Sequence, residues 1–247
     1  MEQKTTIIIV TFNAFNYVKK CLDSVLKNTS RAHEIIIIDN KSDLKTREYV
    51  KSFSSFENFK VILNDKNVLW CPACNQGFKN ASPDTKFFVL LNSDVEIHNN
   101  DWIFQLQKPM LENELIGQTG TKYNFQPLMP TYGALDGCCL MIRKTLLDAI
   151  GHFDEDYPWN GAPFIFTQKA WKQGIKYYHV DEHRIVTHYG RKSRVETNTQ
   201  LKNNYIDTKA LISKEGLVPI LDIYSWLLNK FSIFNINKKL HPESFSK

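Results

Sequence analysis

The chain has 247 residues, 43% of them hydrophobic and 23% charged, with few Gly and Pro and no internal repeat; this excludes disordered, fibrous and solenoid classes and leaves one sizeable buried core. Its formal charge of +5, from 31 basic against 26 acidic residues, suits any anionic partner and singles out none. No run of about 18 to 20 uninterrupted apolar residues exists, so no spanning helix is expected. The opening MEQKTTIIIV is too short an apolar run for a signal-peptide core and lacks a cleavage site, which makes cytoplasmic residence the expectation.

In chain order, residues 5 to 11 (TTIIIVT) form a nearly continuous apolar run, as expected of a strand buried on both faces. Tyr17, Val18, Cys21, Leu22, Val25 and Leu26 then recur at helical spacing. Residues 34 to 39 (EIIIID) read as a second strand, 43 to 53 as a helix, 59 to 63 as a third strand, 71 to 80 as a helix and 86 to 91 (KFFVLL) as a fourth strand. This is the pattern of successive βαβ units, hence an α/β fold with a mostly parallel sheet flanked by helices. Further on, 101 to 112 and 144 to 150 read as helices, 115 to 122 and 137 to 143 as extended, and 164 to 173 as a helix ended by Gly174. Residues 175 to 180 and 184 to 188 read as strands, and apolar residues recur at helical spacing from 217 to 234. That last stretch is expected to pack on the domain, with peripheral membrane contact as its alternative. The predicted division is 1–195 as a catalytic domain, in halves 1–96 and 97–195, and 196–247 as a C-terminal helical appendage.

Ligands of open α/β sheets bind outside the carboxyl ends of the strands, so the polar residues after each strand are the candidates. They are Thr11 and Asn13, Asp39 and Asn40, Asn64 and Asn67, and Asn92 to Glu96. Asp94 and Glu96, two positions apart, would share one side of extended backbone and could approach one divalent cation. Oxygen ligands of this kind suit Mg2+ or Mn2+. The five cysteines include one Cys-x-x-Cys, Cys71 to Cys74, with no second pair or spaced His pair to complete a zinc site; buried thiols are expected.

The ordered segments Ile9-Val10-Thr11-Phe12-Asn13, Ile38-Asp39-Asn40-Lys41-Ser42-Asp43, Asn67 with Asn75-Gln76-Gly77, and Leu91-Asn92-Ser93-Asp94-Val95-Glu96 resemble the inverting family 2 glycosyltransferases, particularly rhamnosyltransferase-like members. Gly137 to Lys144, Gly151 to Glu155 and Val186-Thr187-His188-Tyr189-Gly190 extend the resemblance across roughly residues 5 to 190. It implies a GT-A-type, Rossmann-like fold and transfer of a sugar, with inversion, from a nucleoside-diphosphate sugar to an acceptor hydroxyl. It also implies Thr11 and Asn13 near the nucleotide, Asp39 on the base, Asp94 on the metal or diphosphate, and His188 as a further metal or phosphate contact. Asn67 and Asn75 join the expected donor site.

At one place the pattern departs from the family. A Glu-Asp-x-Asp stretch is usual at the start of the helix ending at Gly174, supplying the general base; here Ala162, Pro163, Phe164 and Ile165 stand there, and Lys169 replaces an arginine. Asp136, before Gly137, is the leading candidate base, ahead of Asp154, Glu155 and Asp156. A saccharide or glycolipid acceptor is expected. The alternatives are a hydroxymethylated base of DNA, approached through the basic segment His188-Tyr189-Gly190-Arg191-Lys192-Ser193-Arg194 and the lysine-bearing C-terminus, and a nucleotide-sugar-binding module without turnover.

Overall fold

The structure, a computed structural model, describes residues 3–30, 32–122, 135–158, 162–180 and 185–190. The predicted appendage 196–247 and residues 191–194 of the basic segment lie outside the described residues. The elements are β1 (Thr5–Thr11), α1 (Phe15–Asn28), β2 (Glu34–Asp39), α2 (Leu44–Ser52), a 3-10 turn (Phe53–Ser55), β3 (Phe59–Leu63), α3 (Trp70–Asn80), β4 (Phe87–Asn92) and β5 (Val95–Ile97). Then follow α4 (Trp102–Glu112), β6 (Ile116–Lys122), β7 (Leu135–Arg143), α5 (Lys144–Ile150), α6 (Ala162–Lys172), β8 (Lys176–His179) and β9 (Val186–His188).

Seven strands form one sheet in the order β3-β2-β1-β4-β7-β6-β8. The pairs β1/β2, β2/β3, β1/β4 and β6/β8 are parallel, and β7 runs antiparallel to both its neighbours, β4 and β6. The sheet is therefore mostly parallel, as the βαβ pattern requires. The strand order reverses direction around β1, placing the switch point between β1 and β4, where an open α/β sheet gathers ligands.

Alternation along the strands explains the layers. Ile7, Ile9, Ile35, Ile37, Val89 and Leu91 face one side, where Val18, Cys21, Leu22 and Val25 of α1 and Trp102, Ile103, Leu106 and Met110 of α4 cover them. Ile8, Ile36, Ile38, Phe88 and Leu90 face the other, beneath Cys71, Ala73, Cys74 and Phe78 of α3 and Phe166 and Ala170 of α6. Each buried Ile or Leu contributes about 1.5–3 kcal/mol, so slipping a strand by one residue would exchange both faces at once. Two-sided burial is why the middles of TTIIIVT and EIIIID are unbroken apolar runs.

Local signals set the helix ends. Asp43 caps α2, accepting from the Thr46 amide at 2.9 Å. Gly174, at φ +78°, ends α6: its amide donates to the Trp171 carbonyl at 2.9 Å and that of Ile175 to the Ala170 carbonyl at 3.1 Å, a Schellman pairing. β9 lies within the strand expected at 184–188, whereas β5, its partner in a small two-stranded ribbon where Val95 faces His188, is not announced by periodicity. No helix among the described residues is long and apolar enough to cross a membrane.

Candidate active site

The ends of β1, β2 and β3 are tied into one rim. The Asn40 amide donates to the Thr11 carbonyl and the Asn64 amide to the Asp39 carbonyl, each at 2.9 Å. At the centre lies the carboxylate of Asp39, fully buried at 0% exposure. Its Oδ1 accepts from Thr11 Oγ1 at 3.1 Å; its Oδ2 accepts from the Ser42 amide at 3.1 Å and from Arg47 Nη1 at 2.8 Å. A buried carboxylate needs such partners to offset its lost hydration. The same Arg47 nitrogen donates to the Asn64 carbonyl at 2.9 Å, while Asn64 exchanges amide hydrogen bonds with Gln76 and donates to Asn40. Asn13 joins the two loops, its amide donating to Ser42 Oγ at 2.8 Å and its Oδ1 accepting from the Asp43 amide at 2.7 Å. Asp39 thus shapes the rim from beneath, with both oxygens engaged.

Backbone strain gathers in the same place. The non-glycine residues at positive φ among those described are Asn13 (53°), Ala14 (55°), Lys41 (62°) and Leu69 (71°), all on loops following β1, β2 or β3. Such conformations persist where the surroundings over-determine them, and they favour binding sites. Leu69, at ψ 177°, occupies a region nearly restricted to glycine; the Asn67 Oδ1 accepts its amide at 2.8 Å and its carbonyl accepts from Asn40 Nδ2 at 3.1 Å. Asn67 is accordingly the turn residue that leads into α3.

After β4 the chain turns at Ser93 and Asp94 and enters β5. Across the ribbon, His188 Nε2 lies 3.2 Å from Asp94 Oδ1, with side-chain exposures of 22% and 10%. The two residues that the resemblance placed on the metal or phosphate therefore meet. Glu96 has other partners: its Oε2 accepts from the Tyr189 hydroxyl and lies 3.7 Å from Lys20 Nζ. The expectation that Asp94 and Glu96 share one side assumed extended backbone through both, and the turn at Asp94 breaks that run. Among the described residues no three His, Cys, Asp or Glu side chains converge as a metal-ligand group. A carboxylate and an imidazole nonetheless fit a cation such as Mn2+ whose remaining ligands are phosphate oxygens and water.

On the opposite flank of the switch point, β7 passes close to α6 and α3. A Cβ on Gly137 would stand 3.1 Å from Pro163 Cγ and 3.5 Å from the Trp70 ring, so the three segments approach closely here and a side chain would require Pro163 to shift by a few tenths of an ångström. Asp136 precedes it on β7, and its side chain lies outside the described residues. Asn75, expected near the donor, is instead buried in a crosslink. Its Nδ2 donates to the Phe153 carbonyl and to Glu155 Oε1, both at 2.9 Å, and its Oδ1 accepts from the Phe153 amide at 3.1 Å. Asp154 lies 4.0 Å from Lys169 and accepts from the Asp156 amide, so the 154–156 cluster braces the turn against α3 and α6.

Sequence reasoning missed Arg47, Lys20 and Tyr189 as partners of the expected residues. The i, i+8 spacing of Asp39 and Arg47, from a strand end into the next helix, is the signal available for the first. None exists for the others, because they meet Glu96 only through the fold. All five cysteines are buried thiols. Burial, with Asp94 nearby, pushes Cys21 up to about 12, and burial beside Glu155 and Asp154 pushes Cys71 up to about 12.

The sequence profile described as Glycosyl transferase family 2 matches residues 6–128, the stretch that carries the strand ends above. Among curated proteins, the chain is 28% identical over 125 residues to the glycosyltransferase GlyA of Streptococcus pneumoniae, covering 51% of this chain and 18% of that protein. It is 26% identical over 258 residues to the dolichyl N-acetyl-alpha-D-glucosaminyl phosphate 3-beta-D-2,3-diacetamido-2,3-dideoxy-beta-D-glucuronosyltransferase of Methanococcus voltae, covering 89% of this chain and 77% of that one. Among solved structures, residues 1–349 of TarS from S. aureus in complex with UDP-GlcNAc superpose with a TM-score of 0.64 at 17% identity, over 95% of this chain and 74% of that one. The mannosyltransferase PcManGT from Pyrobaculum calidifontis, in complex with GDP-Man and Mn2+, gives 0.60 at 15% identity, over 74% and 56%. The matched strand-end segments and the shared fold lead to one assignment: the chain belongs to glycosyl transferase family 2, in its GT-A form.

Proposed function

We propose that the protein binds a nucleoside-diphosphate sugar across the strand-end rim and transfers the sugar, with inversion, to a hydroxyl of a saccharide or lipid-linked saccharide. The observation that carries this reading is the meeting of Asp94 with His188 at 3.2 Å beside the β1/β4 switch point. Thr11, Asn13, Asp39 and Asn67 form the nucleotide end, held in shape by Arg47 and the Asn40–Asn64–Gln76 bonds. Asp94 and His188 form the diphosphate end and would hold the divalent cation; when bound, it neutralises charge on the departing diphosphate. Asp136, where β7 approaches Trp70 and Pro163, is the proposed base that accepts the proton of the attacking hydroxyl. Support for a nucleotide-sugar donor and a divalent metal comes from the solved relatives bound to GDP-Man with Mn2+ and to UDP-GlcNAc. Support for a lipid-linked saccharide acceptor comes from the archaeal relative named for a dolichyl phosphate sugar.

The test is thermal stabilisation by a panel of nucleoside-diphosphate sugars with Mg2+ or Mn2+, followed by transfer assays on the wild type and Asp94→Asn. We expect one donor to stabilise the protein only with metal present, and Asp94→Asn to lose that stabilisation. No stabilisation by any donor with either metal would overturn the reading.

A further inference from the structure

Glu96 sits two residues from Asp94 yet belongs to a different set of contacts. Its Oε2 accepts from the Tyr189 hydroxyl, which in turn accepts from Lys20 Nζ at 3.0 Å. The Lys20 ammonium also stands 4.7 Å from the centroid of the Tyr189 ring, and the Tyr17 ring packs on that ring at 5.5 Å. Lys20, Glu96 and His98 line an open groove between α1 and β5, and Asp94 is not part of that lining. Tyr189 directly follows His188, and its amide donates to the Asp94 carbonyl at 2.9 Å. One residue is thus fastened twice: by its backbone to the turn that presents Asp94, and by its side chain to α1 and Glu96.

We infer that Tyr189, Glu96 and Lys20 form a latch that fixes the β5/β9 ribbon so that His188 stays against Asp94, making Tyr189 a positioning residue and Glu96 its anchor rather than a cation ligand. The β9 strand has only three residues, and short pairing alone fixes its register weakly. The aromatic and ionic contacts to α1 supply the missing constraint, because α1 is seated on the core through Val18, Cys21, Leu22 and Val25. Residues that orient a ligating histidine from behind change metal affinity by about 10–100-fold when removed. This inference rests on the reading of Asp94 and His188 as the metal pair.

The experiment compares Tyr189→Phe, Glu96→Ala, Glu96→Gln and Asp94→Asn. Three quantities are measured: Mn2+ affinity in the presence of UDP or GDP, the His188 Nε2 nitrogen shift in metal-free protein, and the melting temperature. Tyr189→Phe and Glu96→Ala are expected each to weaken Mn2+ binding about tenfold, to move the Nε2 signal and to leave melting nearly unchanged. Combined, they should cost no more than either alone. Glu96→Gln, which can still accept from Tyr189, should stay within about threefold of wild type. An unmoved Nε2 signal in Tyr189→Phe overturns the latch, and so does loss of metal binding in Glu96→Gln as complete as in Asp94→Asn. Unimpaired metal binding in Asp94→Asn would overturn the metal reading instead, and the Nε2 signal would then decide separately whether the latch holds His188.

Discussion

Replacing Arg47 with Met removes the cation from the only fully buried carboxylate among the strand-end residues described. Asp39 has 0% exposure, and the guanidinium lies 2.8 Å from its Oδ2 with 26% of the arginine side chain exposed. Breaking a buried pair by deleting one partner costs about 3–5 kcal/mol. Two features hold the value near the lower end: the arginine is partly solvated, and Asp39 keeps its bonds from Thr11 and the Ser42 amide. A loss of about 3 kcal/mol corresponds to a fall in melting temperature of about 6–12 °C for a chain of this size. Urea unfolding of Arg47→Met, Asp39→Asn and the double variant measures it. The double variant should cost less than the sum of the singles, since it leaves no unpaired buried charge. A loss below about 1 kcal/mol in Arg47→Met, or strict additivity, would show that the pair does not hold the rim together.

Leu69→Gly should raise stability by about 1 kcal/mol. Relief of a backbone conformation costing about 1–3 kcal/mol outweighs the glycine's extra unfolded-state entropy, and a fall in the melting temperature would refute this. Glu34 is one source of acid sensitivity. Burial acts to raise its carboxyl, but hydrogen bonds from Lys60, the Ser82 amide, Thr6 and the Ser82 hydroxyl outweigh that and hold it below the usual glutamate value. A depressed carboxyl stabilises the fold above the unfolded value of about 4.3 and loses that contribution as pH falls through the folded value. Glu34→Gln should therefore flatten the decline in urea stability between about pH 5 and pH 3; an unchanged slope would contradict it. The buried thiols, with Cys21 and Cys71 pushed up to about 12 and Cys74 also raised by burial, should resist a disulfide reagent at pH 8 until the protein unfolds. Stoichiometric labelling of the native protein within seconds would show otherwise.

The sequence carried the first half of the fold because its signals are local and repeated. Runs such as TTIIIVT and EIIIID can be little other than strands buried on both faces, and the intervening helical spacing forces parallel pairing. Element ends moved by a residue or two, as with β4 beginning at Phe87 and α6 at Ala162, where hydrogen bonding rather than hydropathy sets the limit. Asp94 stood out by its place after the fourth strand and His188 through the family resemblance, and the β5/β9 ribbon brings their side chains to 3.2 Å. Asn75 shows the reverse: the resemblance suggested the donor, whereas its buried amide fastens the 152–155 turn.

Glu96 marks the boundary between the two kinds of information. By itself the sequence determined which strand ends form the rim, because hydrophobic periodicity and strand direction depend on residues close together in the chain. Only the tertiary structure decided what each carboxylate there touches. The turn at Asp94 and the return of β9 bring Tyr189 and Lys20 to Glu96 and leave His188 to Asp94. A carboxylate's role depends on the charges and donors within a few ångströms, and here those come from helix α1 and from a strand near the far end of the described chain.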